Sequence, residues 1–365
     1  MNAREPIAEL GARFAARAGE LAEGDQFVAG NYEELRASGL LAAGVPAELG
    51  GQGMEVGELA AMLATLARAC PSTALAFSMH THIVALAAWR WRHQKAPTGP
   101  MLEKVARERL VLISTGGGDW LESSGEAVPA DGGYRVSARK AFCSGVPAGD
   151  LLVTSAVTKG DKGEEVIHFA VPLKAAGVTI EPTWRTLGMR NTASHDVRLE
   201  NVFVPEGAVT ARRPRGKWHP LFDMLSMIAL PLIYAVYLGV AQAARERALE
   251  MVRGRRADDA LLQQVGEMEN QLAAAQIAHA DWLACAAEGR PGAASTARCL
   301  IDRTLVARGV LGTLDAAMGA AGGAAFFRRH RLEQLFRDAQ GARFHPLQEA
   351  PQRALAAKVA LGLPL

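Results

Sequence analysis

The stretch DGGYRVSARKAFCSG, residues 131–145, combines a tight turn, an alternating strand and an aromatic-plus-hydroxyl ending. Its Asp-Gly-Gly opening supplies residues that tolerate the positive φ of a hairpin turn. The side chains that follow alternate between two faces, which predicts a half-buried strand that ends at residues 142–145. Phe142 and Ser144 would suit the edge of a flat heteroaromatic ring. Taken alone, these residues favour a core phenylalanine and a turn serine.

The composition indicates an ordinary globular protein. The chain has 365 residues, of which 49% are hydrophobic and 21% charged, and its formal net charge is +2. This length favours two or three domains or layers around a substantial core. Its densest basic run, residues 212–217, is short and interrupted by Pro and Gly, so we interpret it as a solvated linker and expect no nucleic-acid partner.

Cysteines and apolar runs predict the compartment. The four cysteines, Cys70, Cys143, Cys285 and Cys299, form no Cys-x-x-Cys pair and have no histidine at metal spacing. We therefore expect no metal, no disulfide framework and a cytoplasmic location, since the N-terminus also lacks the apolar core of a secretion signal. Residues 224–243 are apolar over about the 20 residues that a membrane span needs. Pro231, Gly239 and the charged helix that follows favour a buried bundle helix, so we expect no membrane association.

The order of elements predicts three domains. Residues 1–109 show helical spacing of apolar positions, interrupted by a Gly-rich loop at residues 44–54. From Leu110 the period becomes two, and six short strands are predicted between turn clusters: 111–115, 134–142, 151–156, 165–171, 178–181 and 196–204. A linker to His219 ends this part, residues 110–215. Residues 216–365 return to helices.

These periods predict an α+β chain that is mostly α. Its parts are an N-terminal helical domain, a central antiparallel β-domain and a C-terminal four-helix bundle. In the bundle, helices are expected at residues 221–253, 257–287, 293–319, 329–340 and 353–361.

Five motifs then occur in a characteristic order. They are the loop GVPAELGGQG at 44–53, the segment ISTGGGDW at 113–120 with Asp119, KAFCSG at 140–145, LGMRNTASHDVRLENVFVP at 187–205, and Gly322-Gly323 followed by Arg337-Asp338-Ala339. Each is weak alone, but together they span nearly the whole chain. Their order resembles the acyl-CoA dehydrogenase superfamily, whose members are tetrameric flavoproteins.

The resemblance implies a flavin between the β-domain and the bundle, FAD as the family norm or FMN or reduced flavin as an alternative. It places Phe142 against the flavin ring, Ser144 near its N5 atom, and Ser114 and Thr115 near its pyrimidine side. Arg253 and the Gly322-Gly323 turn would approach a diphosphate or adenine across a subunit contact. An arginine fork and a glycine backbone both suit phosphate.

The chain departs from the family where the catalytic base belongs. Acyl-CoA dehydrogenases remove a proton with a glutamate at one of two places, which correspond here to Pro346 and Ala229. Neither residue is an acid, and proton abstraction from carbon requires one. Glu349 would substitute only if the loop were rearranged, and it fits a solvated loop acid better.

The loop instead carries Phe344-His345-Pro346, which resembles the monooxygenase branch of the superfamily, where a histidine lies over the flavin. A histidine suits oxygen chemistry because it exchanges protons near neutral pH. His80 and His82 lie on a helix that lines the pocket in this superfamily. Residues two apart point to different sides of a helix, so we expect at most one to face the site. We rank His345 first as a catalytic residue, His80 second and His82 third.

Three functions remain open at this point. The first is flavin-dependent oxidation of a carbon–carbon bond in an acyl-CoA-like or other small organic substrate. The second is monooxygenation with reduced flavin from a separate reductase, and the third is a non-catalytic flavin- or acyl-CoA-binding protein. The resemblance also implies a homotetramer, built as a dimer of dimers, with a flavin reductase or electron-transfer protein as partner.

Overall fold

The computed structural model describes residues 4–21, 24–115, 120–160 and 163–365. Asp119, one of the motif residues, therefore lies outside the described part. Helices come first along the chain: α1 (Arg4–Leu21), α2 (Ala29–Ser38), α3 (Val56–Ala69), α4 (Pro71–Gln94) and α5 (Gly99–Glu108). The helix α4 begins with proline in its first turn, where the absent N–H leaves no hydrogen bond unmade. Most of its side chains are buried, because it lies between the β-domain and the bundle.

The central part is one eight-stranded sheet. Its strands are β1 (Leu112–Ser114), β2 (Glu126–Ala130), β3 (Gly133–Cys143), β4 (Leu151–Gly160), β5 (Gly163–Pro172), β6 (Val178–Glu181), β7 (His195–Pro205) and β8 (Val209–Pro214). They are ordered β6-β7-β3-β2-β4-β5-β8, and β1 pairs with β4. The strand predicted from residues 131–145 is β3, and it pairs with β7 through two register shifts.

Two sequence-based expectations about this sheet were wrong. The segment interpreted as a linker contains β8, which pairs with β5 and buries Arg213. Its basic residues hid the strand, because edge strands carry charged side chains that do not alternate with apolar ones. The sheet is also not wholly antiparallel, since β1 and β2 run parallel to β4.

The last part is helical, as expected. Its helices are α6 (Pro220–Met224), a π-helical turn (Leu225–Ala229), α7 (Leu230–Val252), α8 (Asp259–Glu288), α9 (Ala293–Ala321), α10 (Leu332–Ala339) and α11 (Glu349–Ala360). The run Pro220–Val252 is long and apolar enough to cross a membrane, but 94% of its most apolar window is buried inside the protein. It is the core helix of the bundle, against which α3, α4, α8, α9 and α10 pack. The predicted fold class is confirmed.

Candidate functional site

The helix α4 supports two segments of the β-domain that carry predicted flavin contacts. Ser114, at the end of β1, lies 3.3 Å from His82 Nε2 through its Oγ atom. Gly145, after β3, lies against Ala76 and Tyr32; a Cβ atom there would come within 2.7 Å of the Tyr32 hydroxyl. Both segments therefore lie along one helix, with six residues or about 9 Å between their contact points.

Phe142 is an exposed residue with a left-handed backbone and not a core phenylalanine. Its φ of 60° lies in the left-handed region, which costs roughly 1–3 kcal/mol for a non-glycine residue. Its side chain is 54% exposed, and the edge of Trp184 is the nearest ring, at 6.1 Å between centroids. An exposed aromatic on a strained turn offers a flat apolar face to a ligand.

Ser144 belongs to a buried hydroxyl network beside Phe142. Its Oγ lies 2.7 Å from Ser194 Oγ, which in turn lies 2.7 Å from Thr192 Oγ1. Gly145 donates its backbone N–H to the Thr192 carbonyl. The network joins the end of β3 to the motif at residues 187–205, so that two distant stretches of sequence form one rim. On the other side of the site, Thr115 Oγ1 lies 2.9 Å from Thr154 Oγ1.

That rim is attached to the C-terminal helices through α10. The backbone of Gly188 contacts the Arg337 carbonyl so closely that a Cβ atom would lie 2.1 Å from the oxygen. Asp338, buried, accepts a hydrogen bond from the backbone N–H of Met189. Two of the five motifs therefore contact each other directly, and the requirement for glycine at position 188 is steric.

His345 lies after α10, in a loop that three bundle residues fix. Its Nε2 is 2.7 Å from the hydroxyl of Tyr237. Arg303, buried, donates to the carbonyls of Ala342 and His345 at 3.0 and 2.8 Å, and Tyr234 donates to the Ala342 carbonyl at 2.8 Å. The imidazole position is thus determined by α7 and α9 and not by the loop itself.

The electrostatics keep both site histidines neutral. Burial, with the charges of Arg303 and His82, lowers the pKa of His345 to about 3. Burial, with the charge of His80, lowers the pKa of His82 to about 4. The charge of His82 contributes to the pKa shift of His345, so the two rings lie within electrostatic range of each other. At neutral pH both rings are uncharged, and each can donate one proton and accept another.

The hydrogen bonds of His80 favour a structural role for it, in contrast to its ranking above His82. His80 Nδ1 accepts the backbone N–H of Leu112 at 3.0 Å, so its Nε2 carries the proton and donates to the Leu41 carbonyl at 2.8 Å. Both ring nitrogens are used by the backbone, and the residue joins β1 to the loop before α3. His82 points toward Ser114, and its Nδ1 is buried with no partner among the described residues.

A first prediction separates these two histidines. His80→Phe should lower the free energy of unfolding by about 2 kcal/mol, because it leaves a buried N–H and a buried carbonyl unpaired. His82→Gln should leave stability nearly unchanged and lower the rate of substrate oxidation. Urea unfolding and steady-state kinetics of the two variants measure this contrast. A stable, fully active H82Q variant would contradict the assignment.

The two positions of the family's base, and the nearby Glu349, supply no carboxylate to His345. Pro346 and Ala229 are both buried, and Ala229 ends the π-helical turn. Glu349 begins α11 and is paired with Arg308 and Arg353, which hold the pKa of its carboxyl below the usual value. It is therefore a surface ion-pair residue, as its loop position suggested. Within the described chain, no carboxylate is hydrogen-bonded to His345 or Tyr237.

Arg253 and the Gly322-Gly323 turn lie together but apart from these residues. Arg253 is exposed at the C-terminal end of α7, and the two glycines are exposed at the end of α9. Arg255 joins the two ends by donating to the carbonyls of Ala320 and Ala321 at 3.3 and 3.0 Å. A Cβ atom on either glycine would meet only open space. Within one chain they are a separate surface, and their predicted phosphate role would require a second subunit.

Three site residues were missed by sequence reasoning. Tyr234, Tyr237 and Arg303 hold the His345 loop, and none belongs to a motif. The tyrosines lie three apart in an apolar helix, which is a usable signal, because a buried tyrosine hydroxyl needs a partner. Arg303 gave no signal beyond being a charge in a helix that is otherwise rich in small apolar residues.

A second prediction concerns acid stability. Burial, the largest cause in each case, lowers the pKa of four histidines to about 3 or 4: His80, His82, His168 and His345. Below pH 6.5 the unfolded chain binds protons that these folded rings do not, so acid favours unfolding, by about 1.4 kcal/mol for each pKa unit and ring.

Buried Asp338 and Asp302 act in the opposite sense, since burial raises the pKa of Asp338 to about 6 and that of Asp302 to about 8. The histidines outnumber them, so the urea midpoint should fall steadily from pH 7 to pH 5. A midpoint that stays level or rises over this interval would contradict the neutral state of the four rings.

The residues present fit a flavin. An exposed aromatic on a strained turn and a buried hydroxyl network lie next to Gly145, which contacts α4, and the unpartnered histidine nitrogen belongs to α4 itself. A flat ring with polar edges would cover the aromatic and pair with the polar atoms. No metal-binding group of three or more His, Cys, Asp or Glu occurs among residues 4–21, 24–115, 120–160 and 163–365.

Comparison with known families agrees with this geometry. The chain matches the acyl-CoA dehydrogenase N-terminal domain over residues 3–102, the middle domain over residues 114–202 and the C-terminal domain over residues 232–349. The three domains occur in the expected order.

Some relatives are named as dehydrogenases and others as nitrososynthases. YdbM of Bacillus subtilis, named among the acyl-CoA dehydrogenases, is 28% identical over 97% of this chain and 95% of its own. The amino sugar nitrososynthase DnmZ of Streptomyces peucetius is 28% identical over 91% of this chain and 86% of its own. The structure of KijD3 in complex with FMN and a dTDP-amino-keto-sugar superimposes with a TM-score of 0.90 at 26% identity, over 99% of this chain and 93% of that one.

The sequence-based prediction of a flavin-dependent oxidoreductase is thereby confirmed at the level of flavin and enzyme class. With three matched domains in order and the same fold throughout, the chain is a member of the acyl-CoA dehydrogenase family.

Proposed function

We propose that this enzyme is a monooxygenase that uses reduced flavin and oxygen, and that it does not dehydrogenate acyl thioesters. The observation that carries the proposal is the replacement of the base by a fixed, neutral histidine. His345 is hydrogen-bonded to Tyr237 at 2.7 Å and directly precedes Pro346, which stands where the family uses an acid; the second acid position is Ala229. Without a carboxylate, proton removal from carbon has no acceptor of the right strength.

A neutral imidazole pair suits proton exchange during oxygen chemistry. When bound, reduced flavin supplies the electrons that activate oxygen for transfer to a substrate atom. His345 and His82 would give and take protons at their ring nitrogens, and Tyr237 would fix the orientation of the His345 ring. The closed packing of the His345 loop by Arg303 would exclude water, which otherwise diverts the reaction to hydrogen peroxide.

For the cofactor we propose FMN in reduced form, with Phe142 against the ring and Ser144, Ser114 and Thr115 along its edges. The FMN complex of KijD3 supports this choice over FAD. The positive charge of Arg303 behind His345 also favours a reduced, anionic ligand, because no described carboxylate pairs with it. Heteroatom oxidation, as the name of the nitrososynthase relative states for amino sugars, is the reaction class we favour.

The decisive experiment compares the two reactions on the purified protein. Under argon, reduced FMN should bind more tightly than oxidised FMN or FAD, as measured by equilibrium dialysis. With ¹⁸O₂ and a panel of amines and thioethers, at least one product should carry one heavy oxygen atom. Bleaching of protein-bound oxidised FAD by a straight-chain acyl-CoA, without oxygen transfer, would overturn the proposal in favour of dehydrogenation. Flavin binding with neither reaction would favour the non-catalytic alternative.

The proposal extends to the oligomeric state and to the protein that supplies reduced flavin. We propose a homotetramer in the cytoplasm that receives reduced flavin from a separate reductase. Large apolar side chains exposed on one chain support assembly, among them Ile277 at 71% and Phe326 at 83%. Phe326 lies three residues beyond the Gly322-Gly323 turn, so a subunit contact there would also cover Arg253. A monomeric mass by light scattering at micromolar concentration would contradict the tetramer.

A further inference from the structure

Three buried nitrogen atoms between α4 and the sheet have no hydrogen-bond partner among the residues that the structure describes. They are His82 Nδ1, Arg90 Nε and Trp120 Nε1. An unpaired buried donor costs about 1–3 kcal/mol, and such groups are rare enough in native proteins to require an explanation. Arg90 Nε and Trp120 Nε1 are donors only. They call for a ligand that supplies acceptors.

The three atoms belong to one region. His82, Leu86 and Arg90 follow one another at four-residue intervals on α4, so they form one stripe of the helix. One turn further, Gln94 Nε2 contacts Met224 Sδ at 3.0 Å, which places this end of α4 beside α6. Arg92 lies on another face of α4, where it pairs with Glu55. The stripe therefore faces the sheet and α6.

The facing side of the sheet is basic. Ser114 pairs with Val153, Ser155 with His168, and Val166 with Arg213, so their side chains share the face that Ser114 presents to α4. Arg213 Nε donates to His168 Nε2 at 3.1 Å, and the guanidinium lies 4.9 Å from the centre of the Phe222 ring on α6.

Trp120 lies beside Arg213 and α6, at the edge of this region. Its ring packs on Phe222 at 4.8 Å and on Trp218 at 6.2 Å between centroids, and its carbonyl accepts a hydrogen bond from Arg213 at 2.8 Å. The aromatic trio forms an apolar wall, and the indole N–H is the polar group that this wall leaves unpaired.

The charges here are nearly all of one sign. After burial, the causes that lower the pKa of His168 to about 3 are Arg213, His219, Lys140 and Arg90, of which the two arginines and the lysine are positive at neutral pH. Asp223 is the acid that acts on His219. Its Oδ1 already accepts hydrogen bonds from Trp218 Nε1 and Thr296 Oγ1 at 2.8 and 2.7 Å. Arg90 has no carboxylate partner in the described chain.

We propose that the substrate of this enzyme carries an oxyanion group, such as a carboxylate, sulfonate or phosphate, that Arg90 and the Trp120 indole N–H hold between α4 and the sheet. The inference rests on the proposed function only in calling this ligand the substrate. Arg90 lies eight residues beyond His82, about 12 Å along the helix. The anionic group therefore positions a molecule whose reacting atom lies two helical turns away, at the histidine pair.

The test uses matched probes that differ only in charge: benzoate and benzamide, phenylacetate and phenylacetamide, benzenesulfonate and benzenesulfonamide. Binding to the flavin-free protein is measured by calorimetry at low salt. We expect at least one anion to bind at least ten times more tightly than its neutral partner. Arg90→Gln should abolish that preference and Arg90→Lys should keep part of it. Trp120→Phe, which retains the ring, should weaken the anion several-fold, whereas Arg92→Gln, the matched control, should change nothing.

Equal binding of every pair by the native protein, or an unchanged preference in R90Q, would overturn the inference. Reduced FMN binding is measured on the same variants and should be unaltered in R90Q, since Arg90 lies two turns from the flavin contacts. An intact anion preference in a protein that fails the ¹⁸O₂ experiment would refute the monooxygenase proposal alone. Oxygen transfer in a protein without the preference would refute the anion site alone.

Discussion

His345→Ala should reduce product formation by at least about a hundredfold, the lower range for loss of a general acid–base group. The imidazole is half-buried, neutral and fixed by the Tyr237 hydroxyl. Reduced FMN should still bind and still be oxidised by oxygen. We therefore expect hydrogen peroxide released per flavin consumed to rise toward one while product disappears, measured by peroxidase-coupled absorbance beside chromatography.

Two controls accompany this variant. Glu349→Gln removes the nearest acid in sequence but only an exposed ion pair with Arg308 and Arg353, so its activity should be unchanged. Tyr237→Phe should keep the ring but lose its orientation, giving an intermediate loss with partial peroxide release. Undiminished product formation by H345A would show that His345 takes no part in the reaction. A strong loss in E349Q would assign the catalytic base to Glu349 instead.

Arg303→Met should lower the free energy of unfolding by about 3–6 kcal/mol, since two charged hydrogen bonds to backbone carbonyls are lost at roughly 1.5–3 kcal/mol each. Arg303 is 2% exposed, and its guanidinium lies 5.1 Å from the Tyr234 ring centre while it donates to the carbonyls of Ala342 and His345. Methionine fills similar volume but leaves the His345 carbonyl unpaired, while the Ala342 carbonyl keeps only its hydrogen bond from Tyr234. Urea unfolding measures the difference.

The same variant has a second readout. The charge of Arg303 helps to depress the pKa of His345, after burial itself, so its removal should raise that pKa. The acid limb of the pH–rate profile should then move to higher pH. Arg308→Met is the matched control, on the same helix but exposed and paired with Glu349, and it should cost less than about 1 kcal/mol. Equal costs for R303M and R308M would show that the loop does not depend on Arg303.

Much of the fold was predictable, because the periodicity of apolar residues along the chain indicates where helices and strands lie. The change from helical to alternating periodicity at Leu110 and the return to helices after residue 219 follow from which side chains each element must bury. β8 was missed because its charged residues face solvent on an edge strand, while Arg213 turns inward only to meet Trp120 and His168. No local rule assigns an arginine to the interior.

The site was only partly predictable. The stretch at residues 131–145 indicated a strand with an aromatic and a hydroxyl at its end, and the order of motifs suggested a flavin. Neither showed that Phe142 adopts a left-handed conformation with an exposed ring. That conformation arises from the register shift between β3 and β7, and register depends on the partner strand.

By itself, the sequence determined the order of the domains, the motifs that imply a flavin and the absence of an acid at residues 229 and 346. The tertiary structure alone decided which histidine faces the site. His80 and His82 are equivalent by type and lie two residues apart, and the difference between them is set by their hydrogen bonds with Leu41, Leu112 and Ser114. Those partners lie more than thirty residues away in sequence. A helical pattern fixes the spacing of side chains, but only packing against the rest of the chain fixes which way the helix is turned.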